Sequence, residues 1–222
     1  MKVFLMVLGV VLMAGAAWAM GDIYVSGTWR FKITVEVETP EGLKSGSAVY
    51  EMSNADSSAK ILNFPEAGNP ATLKGEAVVV DLGKRGVLFS LIPGERTFYN
   101  AFPRPGGPGG ETTTEGIRYY KNLKDAKAIL KPEQYPMMVI FKDLKDPMSV
   151  QRVNTTNLFP QFGEGMSLQD VTIEITDEPI TLGIEGKLPW LSGLNGGYLH
   201  GGFTGKDAPL GLHTGNFKHG DK

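Results

Sequence analysis

The sequence predicts an α+β fold that is rich in β-structure, with a mostly antiparallel sheet built from hairpins, one main helix and short helices. Residues 28–52 and residues 76–92 each contain two strand-like runs joined by a turn. Residues 117–130 instead carry apolar side chains every three or four positions, which is the spacing of an amphipathic helix. Because hairpins pair neighbouring strands, antiparallel pairing is expected to dominate.

The first hairpin, Thr28 to Met52, is the stretch around which the rest of the chain is organised. Every second residue from Trp29 to Val37 is apolar, and the residues between them are charged or polar. Such alternation predicts a strand with one buried face and one solvated face. In the turn that follows, Pro40 presets φ and Gly42 tolerates a positive φ. We expect this hairpin to form one wall of the core.

The second hairpin runs from Glu76 to Leu82 and back from Val87 to Ile92. Both runs are almost continuously apolar, which is typical of central strands that are covered on both faces. The main helix is predicted over Ile117 to Leu130 and is expected to end before Pro132. Shorter elements are expected downstream, with strands over 137–141, 149–153 and 168–176 and short helices over 155–162 and 181–188.

Two stretches are rich in glycine and carry no periodic pattern. Phe102 to Gly116 contains the run Pro-Arg-Pro-Gly-Gly-Pro-Gly-Gly, which predicts an exposed flexible loop. The tail from about Gly193 to the end is expected to wrap the domain as irregular structure.

The first nineteen residues have the pattern of a secretory signal peptide. Lys2 is followed by an apolar run from Val3 to Ala16, and Ala17-Trp18-Ala19 is a small-x-small cleavage site. We expect cleavage after Ala19, which leaves residues 20–222 as a single β-rich domain with the Gly-rich tail. The alternative is an uncleaved membrane anchor, since an apolar run of this length reaches the lower limit for a spanning helix.

Composition excludes several classes of protein. The chain has 222 residues, a formal net charge of −2 and no cysteine. The absence of cysteine excludes disulfides, thiolate catalysis, Cys-ligated zinc and lipid attachment at an N-terminal cysteine. The weak net charge does not indicate nucleic-acid binding. We expect no cofactor, because no glycine-rich phosphate loop or other cofactor motif is present.

Some stretches have distinctive strings that carry no recognised chemistry. They lie at 29–42, 45–49, 75–78, 141–150 and 175–190. In these strings the chain resembles a family of uncharacterised proteobacterial envelope proteins. The resemblance covers most of the chain after residue 19. It implies a single domain and a bacterial source, and it transfers no catalytic residue.

The candidate metal ligands are three late histidines, His200, His213 and His219. Their spacings match no ligand motif on a helix or a hairpin, so solvated loop histidines are the favoured interpretation and no metal is expected.

Carboxylates are the candidate catalytic groups. Glu36 and Glu38 share a strand face at about 7 Å, a separation that glycoside hydrolysis uses, but charge pairing on a solvated face explains them better. Asp143, Asp177 and Glu178 lie at strand ends beside proline, where they are candidates for the acids of a hydrolase. Aspartate at such a position more often accepts a hydrogen bond from nearby backbone in a turn.

Three further residues are candidates for contact with a ligand or partner. Trp190 lies in an apolar stretch near the C-terminus, where an exposed ring would stack on a ligand and a buried ring would dock the tail. The buried arrangement is the favoured one. Arg104 lies in the Pro/Gly-rich loop, and Arg118 follows it in the predicted helix.

The leading hypothesis is a non-enzymatic binding or structural module of the envelope, periplasmic or secreted after signal cleavage. Its partner would be an envelope protein or ligand and not nucleic acid, and the sheet face or the loop at 102–116 would make the contact. One alternative is a periplasmic hydrolase that acts on envelope polymer through paired carboxylates. Another is an inner-membrane-anchored protein with the same domain outside, in which case the chain would contact the membrane through its N-terminal segment.

Overall fold

The computed structural model describes residues 25–56, 71–107, 109–194, 197–199 and 211–220. The predicted cleavage site at Ala19 and the candidate ligand His200 lie outside these residues. The described residues group into two compact units. The first contains 25–29, 53–56, 71–72 and 104–122 without 108, and the second contains the rest. The extent of a single domain over 20–222 stays a prediction.

In the part of the chain that the structure describes, ten strands form two antiparallel sheets. The strands are β1 (Val25–Glu38), β2 (Lys44–Asp56), β3 (Thr72–Glu76), β4 (Val78–Asp81), β5 (Val87–Ser90), β6 (Lys127–Ile129), β7 (Met138–Phe141), β8 (Val150–Arg152), β9 (Ser167–Ile175) and β10 (Lys218–His219). The order is β10-β3-β2-β1-β9-β6 in the larger sheet and β4-β5-β7-β8 in the smaller one. The α-helices of this part are α1 (Glu95–Ala101), α2 (Thr114–Lys121) and α3 (Phe159–Phe162). The chain is therefore rich in β-structure, with few helices.

The first predicted hairpin is confirmed as β1 and β2, which are neighbours in the larger sheet. The apolar face of β1 is buried throughout, from Trp29 to Val37, and the residues between are partly exposed. The main-chain nitrogen of Gly42 donates to the carbonyl of Thr39 at 2.8 Å, and Gly42 has a φ of 104°. The turn therefore closes as the positions of proline and glycine predict.

An aromatic cluster covers β1 and β2 in the second unit. The ring of Phe31 on β1 stacks at 5.3 Å on Tyr50 of β2 and lies 5.0 Å from Phe98 of α1. Phe102, just after α1, packs edge-on against Phe98. The sequence analysis did not predict α1, which nevertheless buries its apolar side chains against the central strands of the larger sheet.

The second predicted hairpin is confirmed in part. Val78–Asp81 and Val87–Ser90 pair as β4 and β5 in the smaller sheet, and a 3-10 turn at Gly83–Arg85 joins them. Glu76 does not continue into β4, because it ends β3 in the larger sheet. Between the two, the main-chain nitrogen of Ala77 donates to the carbonyl of Phe217 at 2.8 Å. The chain therefore passes from one sheet to the other at Ala77.

The main helix predicted over residues 117–130 is confirmed only over residues 117–121 and is wrong from residue 122 onward. The helix α2 ends at Lys121, and Asp125 has a positive φ of 50° that no helix accepts. Residues 127–129 then form β6, whose Ala128 pairs with Ile173 of β9. Ala126 and Ala128 are separated by Lys127, which suits one face of a strand, whereas Ile129 is 64% exposed, so the apolar spacing alone was ambiguous.

The short elements downstream agree with prediction to different degrees. Strands are confirmed over most of 137–141, 149–153 and 168–176. The helix predicted over 155–162 is reduced to α3, whose second residue is Pro160. Proline is tolerated there because the first N–H groups of a helix have no acceptor within the helix. In place of a helix over 181–188, the chain forms 3-10 turns at Ile184–Gly186 and Pro189–Ser192.

The first unit contains α2 and the loop that precedes it. The hydroxyl of Thr113 caps the helix by accepting from the main-chain nitrogen of Gly116 at 3.2 Å. The main-chain nitrogen of Thr114 donates to the carboxylate of Asp56 at 2.6 Å. A Cβ at Gly116 would lie 2.2 Å from the carbonyl oxygen of Gly110, so only glycine fits where the helix begins.

The described tail residues pack on the core of the smaller sheet, in the second unit. Phe217 is fully buried and lies edge-on to Phe89 and Trp190, with ring centroids 6.5 and 5.7 Å away. The ring of Phe141 lies 5.7 Å from the same side chain. The two-residue strand β10 follows at once and pairs with β3. Residues 211–220 are therefore an integral part of the core and of the larger sheet.

Replacing Phe217 by alanine is expected to lower the free energy of unfolding by about 3–5 kcal/mol, because it removes a fully buried ring and leaves a cavity. Phe159→Ala is the matched control, since this phenylalanine is 61% exposed and its loss should change stability by about 0.5 kcal/mol or less. Urea denaturation followed by circular dichroism measures both. Equal losses in the two variants would contradict the packing of the tail.

Candidate functional site

The described histidines take part in local structure. The main-chain nitrogen of His213 donates to the side-chain oxygen of Asn216 at 2.9 Å, and its ring lies 5.9 Å from that of Tyr198. His219 Nδ1 hydrogen-bonds to the carbonyl of Leu73. Over the described ranges, no three acidic or histidine side chains come together in a group that could hold a metal ion.

The candidate acids follow strands of two different sheets. Asp143 follows β7 of the smaller sheet, and its Oδ1 accepts from the main-chain nitrogen of Lys145 at 2.9 Å. Asp177 and Glu178 are exposed and follow β9 of the larger sheet, where Glu178 forms an ion pair with Lys32 at 2.5 Å. This hydrogen bond is the main cause that raises the pKa of Lys32. Asp143 is therefore held in a turn, and Glu178 is held in an ion pair.

The carboxylates of Glu36 and Glu38 are partly exposed on the polar face of β1. The register between β1 and β9 shifts between Val35 and Val37, so Glu36 lies at a bulge. The structure thus places this pair on a sheet face beside an irregular stretch of β9.

Trp190 is partly buried and docks the tail. Its Nε1 donates to the carbonyl of Leu144 at 3.0 Å, and its ring lies 5.5 Å from Phe141 and 5.7 Å from Phe217. The ring is therefore engaged with the core of the smaller sheet, which is the arrangement that the sequence favoured.

The two candidate arginines lie in the first unit. Arg104 Nε donates to the carbonyl of Gly109 at 3.1 Å, and its Nη1 lies 4.0 Å from the carboxylate of Glu115. Arg118 is an exposed residue of α2, and its carbonyl accepts from the side chain of Asn122 at 2.8 Å. Arg104 therefore holds its own loop, while the Arg118 side chain lies at the surface.

A buried carboxylate lies where the chain changes sheets, and the sequence analysis did not single it out. Glu76 is 1% exposed, and its Oε2 accepts from the main-chain nitrogen of Ile184 at 2.8 Å. Its Oε1 lies 3.7 Å from Nζ of Lys218 on β10, which also forms an ion pair with Glu185. Burial raises the pKa of Glu76. The pKa of the fully buried Tyr50 is also raised, mainly by burial and to a lesser extent by the charge of Glu76.

This cluster has a structural explanation. The carboxylate of Glu76 satisfies a main-chain donor of the 3-10 turn at Ile184–Gly186 and attracts Lys218 of the tail. Perturbed titratable groups often mark active sites, but an active site also needs access for a substrate. With almost no exposed surface, Glu76 holds the turn and the tail in place.

The candidate binding site is a groove in the second unit, of about 340 Å³, built from three separate segments. These segments are Pro132 and Tyr135 between β6 and β7, residues 155–158 before α3, and residues 166–168 at the start of β9. The second segment contributes two threonines, Asn157 and the buried Leu158. The lining thus combines one aromatic ring, hydroxyl groups, one amide and apolar side chains.

Hydrogen bonds at two of the three segments hold this lining in place. The side-chain oxygen of Asn154 accepts from the nitrogen and the hydroxyl of Thr156, at 3.1 and 2.8 Å. The side-chain oxygen of Asn157 accepts from the main-chain nitrogen of Phe159 at 3.1 Å, which leaves its amide NH₂ group to donate elsewhere. On the opposite side, Gln134 and Lys131 exchange hydrogen bonds of 2.7 and 2.8 Å and fix the turn before Tyr135.

Two nearby carboxylates act on the hydroxyl group of Tyr135. The pKa of this hydroxyl is raised mainly by burial and to a lesser extent by the charges of Asp170 and Glu133. The hydroxyl is therefore protonated at neutral pH and is both a donor and an acceptor of hydrogen bonds. The same two carboxylates would repel an anionic ligand that binds beside the ring.

Sequence reasoning missed this groove because its segments are distant along the chain. The local signals were present, since Asn154 and Asn157 in Asn-Thr-Thr-Asn are typical of side-chain-to-backbone turns. They predicted a turn, however, and not that this turn would face Tyr135.

No protein-family profile, curated protein or solved structure matches the chain. Within the described residues, the helices are too short or too polar to span a bilayer.

The buried carboxylate predicts a pH dependence of stability. Because folding raises the pKa of Glu76, the folded chain binds more protons than the unfolded chain between the ordinary pKa and the raised one. The stabilising contribution of the Glu76 carboxyl is therefore lost as the pH rises through its raised pKa. The Glu76→Gln variant should lose less stability than the wild type between about pH 5 and pH 8 in urea denaturation.

The companion variant Glu76→Ala removes the acceptor for Ile184 as well as the charge. It should be less stable than Glu76→Gln by about 1–3 kcal/mol at either pH, because a buried donor is left unsatisfied. Identical pH profiles of Glu76→Gln and the wild type would contradict this account of Glu76.

Proposed function

We propose that the protein is an exported, non-enzymatic binding module of the bacterial envelope, periplasmic or secreted after cleavage at Ala19, and that its groove is the ligand site. The proposal includes membership of the uncharacterised proteobacterial family that the chain resembles. Its partners are a ligand or another envelope protein, and not nucleic acid.

The groove is the observation that supports binding over catalysis. The residues that line it are aromatic, hydroxyl-bearing, amide-bearing or apolar, and none of them is a carboxylate, an amine or an imidazole. General acid–base catalysis needs a group that exchanges a proton near neutral pH, and a raised pKa takes the hydroxyl of Tyr135 further from that range. Such a lining orients and retains a ligand.

Two alternatives remain as competing proposals. A hydrolase of envelope polymer would use Asp143, Asp177 or Glu178, but contacts with the turn backbone and with Lys32 already engage the first and the last of these. An inner-membrane-anchored protein would keep the apolar segment Val3 to Met20.

Export is tested on the full chain expressed in a Gram-negative host. Osmotic shock should release the protein, and N-terminal sequencing of the released protein should begin at Met20, because signal peptidase cuts after a small-x-small site. A chain that begins at Met1 and stays with the membrane fraction would instead support the anchored alternative.

Binding at the groove is tested by photo-crosslinking in intact cells. A photoreactive phenylalanine analogue in place of Met166 should yield an adduct that the same analogue at the exposed position 142 does not, because only position 166 lines the groove. The purified protein should release no soluble fragments from cell-wall material. Equal labelling at both positions, with fragment release that Asp177→Asn abolishes, would favour the hydrolase.

A further inference from the structure

We propose that the groove binds a neutral saccharide of one or two sugar rings, stacked on Tyr135 and hydrogen-bonded to the loop at 155–157. This inference rests on the proposed function, because it names the ligand class of the same site. It follows from the size of the groove, the chemistry of its lining and the charges around it.

The size of the groove limits the ligand. Its volume of about 340 Å³ lies at the lower end of the range of about 300–1,000 Å³ that small-molecule sites occupy. A site of this size holds one small molecule and is too small to bury a folded partner. The ligand is therefore a small molecule or the end of a chain.

The lining matches the two faces of a sugar ring. A pyranose presents axial C–H groups on its flat faces, which pack against an aromatic ring, and hydroxyl groups around its edge. Tyr135 supplies the ring, and the hydroxyls of Thr155 and Thr156 with the amide of Asn157 supply donors and acceptors. Leu158 is buried beneath this loop and gives the groove an apolar element.

The charges favour a neutral ligand. The side chains that line the groove carry no formal charge, so none of them can form an ion pair with an acidic sugar. Asp170 and Glu133 act on Tyr135 from nearby and add a negative potential. An anionic ligand would lose its hydration without gaining an ion pair, which makes it a poorer occupant than its neutral counterpart.

The lining is held before any ligand arrives. Asn154 fixes Thr156, the main chain of Phe159 fixes the side chain of Asn157, and the turn at Pro132–Gln134 positions Tyr135. A ligand that binds such a site does not bear the entropic cost of ordering these side chains.

The test is a titration of the ¹⁵N-labelled protein, followed by amide chemical shifts. Cellobiose is the main probe, and glucose, glucuronate and glucosamine form a set that differs in charge. We expect saturable shifts confined to residues 132–135, 155–158 and 166–168, with a Kd of about 1 mM for cellobiose. Glucuronate should bind about tenfold more weakly than glucose.

Three variants separate stacking from general damage. Tyr135→Ala should weaken cellobiose binding about tenfold, because it removes the stacking surface, and Tyr135→Phe should weaken it by about threefold or less. Tyr198→Ala removes an exposed tyrosine outside the groove and should leave the affinity unchanged. Amide shifts that are unchanged away from the substituted residue show that each variant is folded.

Absence of saturable shifts up to about 50 mM of every sugar would overturn the ligand class. Chemical-shift changes that fall outside the groove would also overturn the ligand class. So would a Tyr135→Ala variant that binds cellobiose with the affinity of the wild type. If photo-crosslinking at position 166 then still captures a ligand specifically, the binding function stands and only the saccharide assignment falls. If crosslinking at positions 166 and 142 is equal, the proposed function itself falls.

Discussion

The structure depends on the burial of one face of β1. Phe31, Ile33, Val35 and Val37 are fully buried, with β2 on one side of the strand and β9 on the other. A shift of this strand by one residue would place Lys32 and its charged neighbours in the core, at a cost of several kcal/mol per unpaired charge. That cost sets the register of the larger sheet, and the aromatic cluster around Phe31 then brings α1 onto it.

A second constraint acts where the chain leaves the larger sheet at Ala77. Glu76 ends β3 inside the protein, and its carboxylate requires partners there because a buried charge without them is unstable. The 3-10 turn at Ile184–Gly186 supplies a main-chain donor, and Lys218 supplies a cation. Phe217 directly precedes β10 in the chain, and it lies in the core of the smaller sheet. One carboxylate therefore links the crossing point to the position of the tail.

These two constraints also explain how much of the fold the sequence could predict. β1 and β9 were predicted well, because period-two alternation is a local signal that burial of one face reinforces. α1 was missed because it has seven residues and no side-chain cap, and β6 was assigned to a helix because its apolar spacing suits both states. Glu76 and the groove were missed because their partners lie far away along the chain, and no local pattern records which segments will meet.

The distribution of polar groups argues for binding more strongly than the lack of a catalytic motif does. Enzymes place titratable groups with shifted pKa values in accessible clefts, where the charge of the group changes during the reaction. Among the described residues, Glu76 and Tyr50 have raised pKa values and lie in the core. Tyr135 lines the groove, and the raised pKa of its hydroxyl keeps that group neutral. The accessible groove carries neutral hydroxyl and amide groups, which form hydrogen bonds without changing charge. The perturbed carboxylate therefore holds the fold together, and the proposed ligand site is built from neutral, fixed hydrogen-bonding groups.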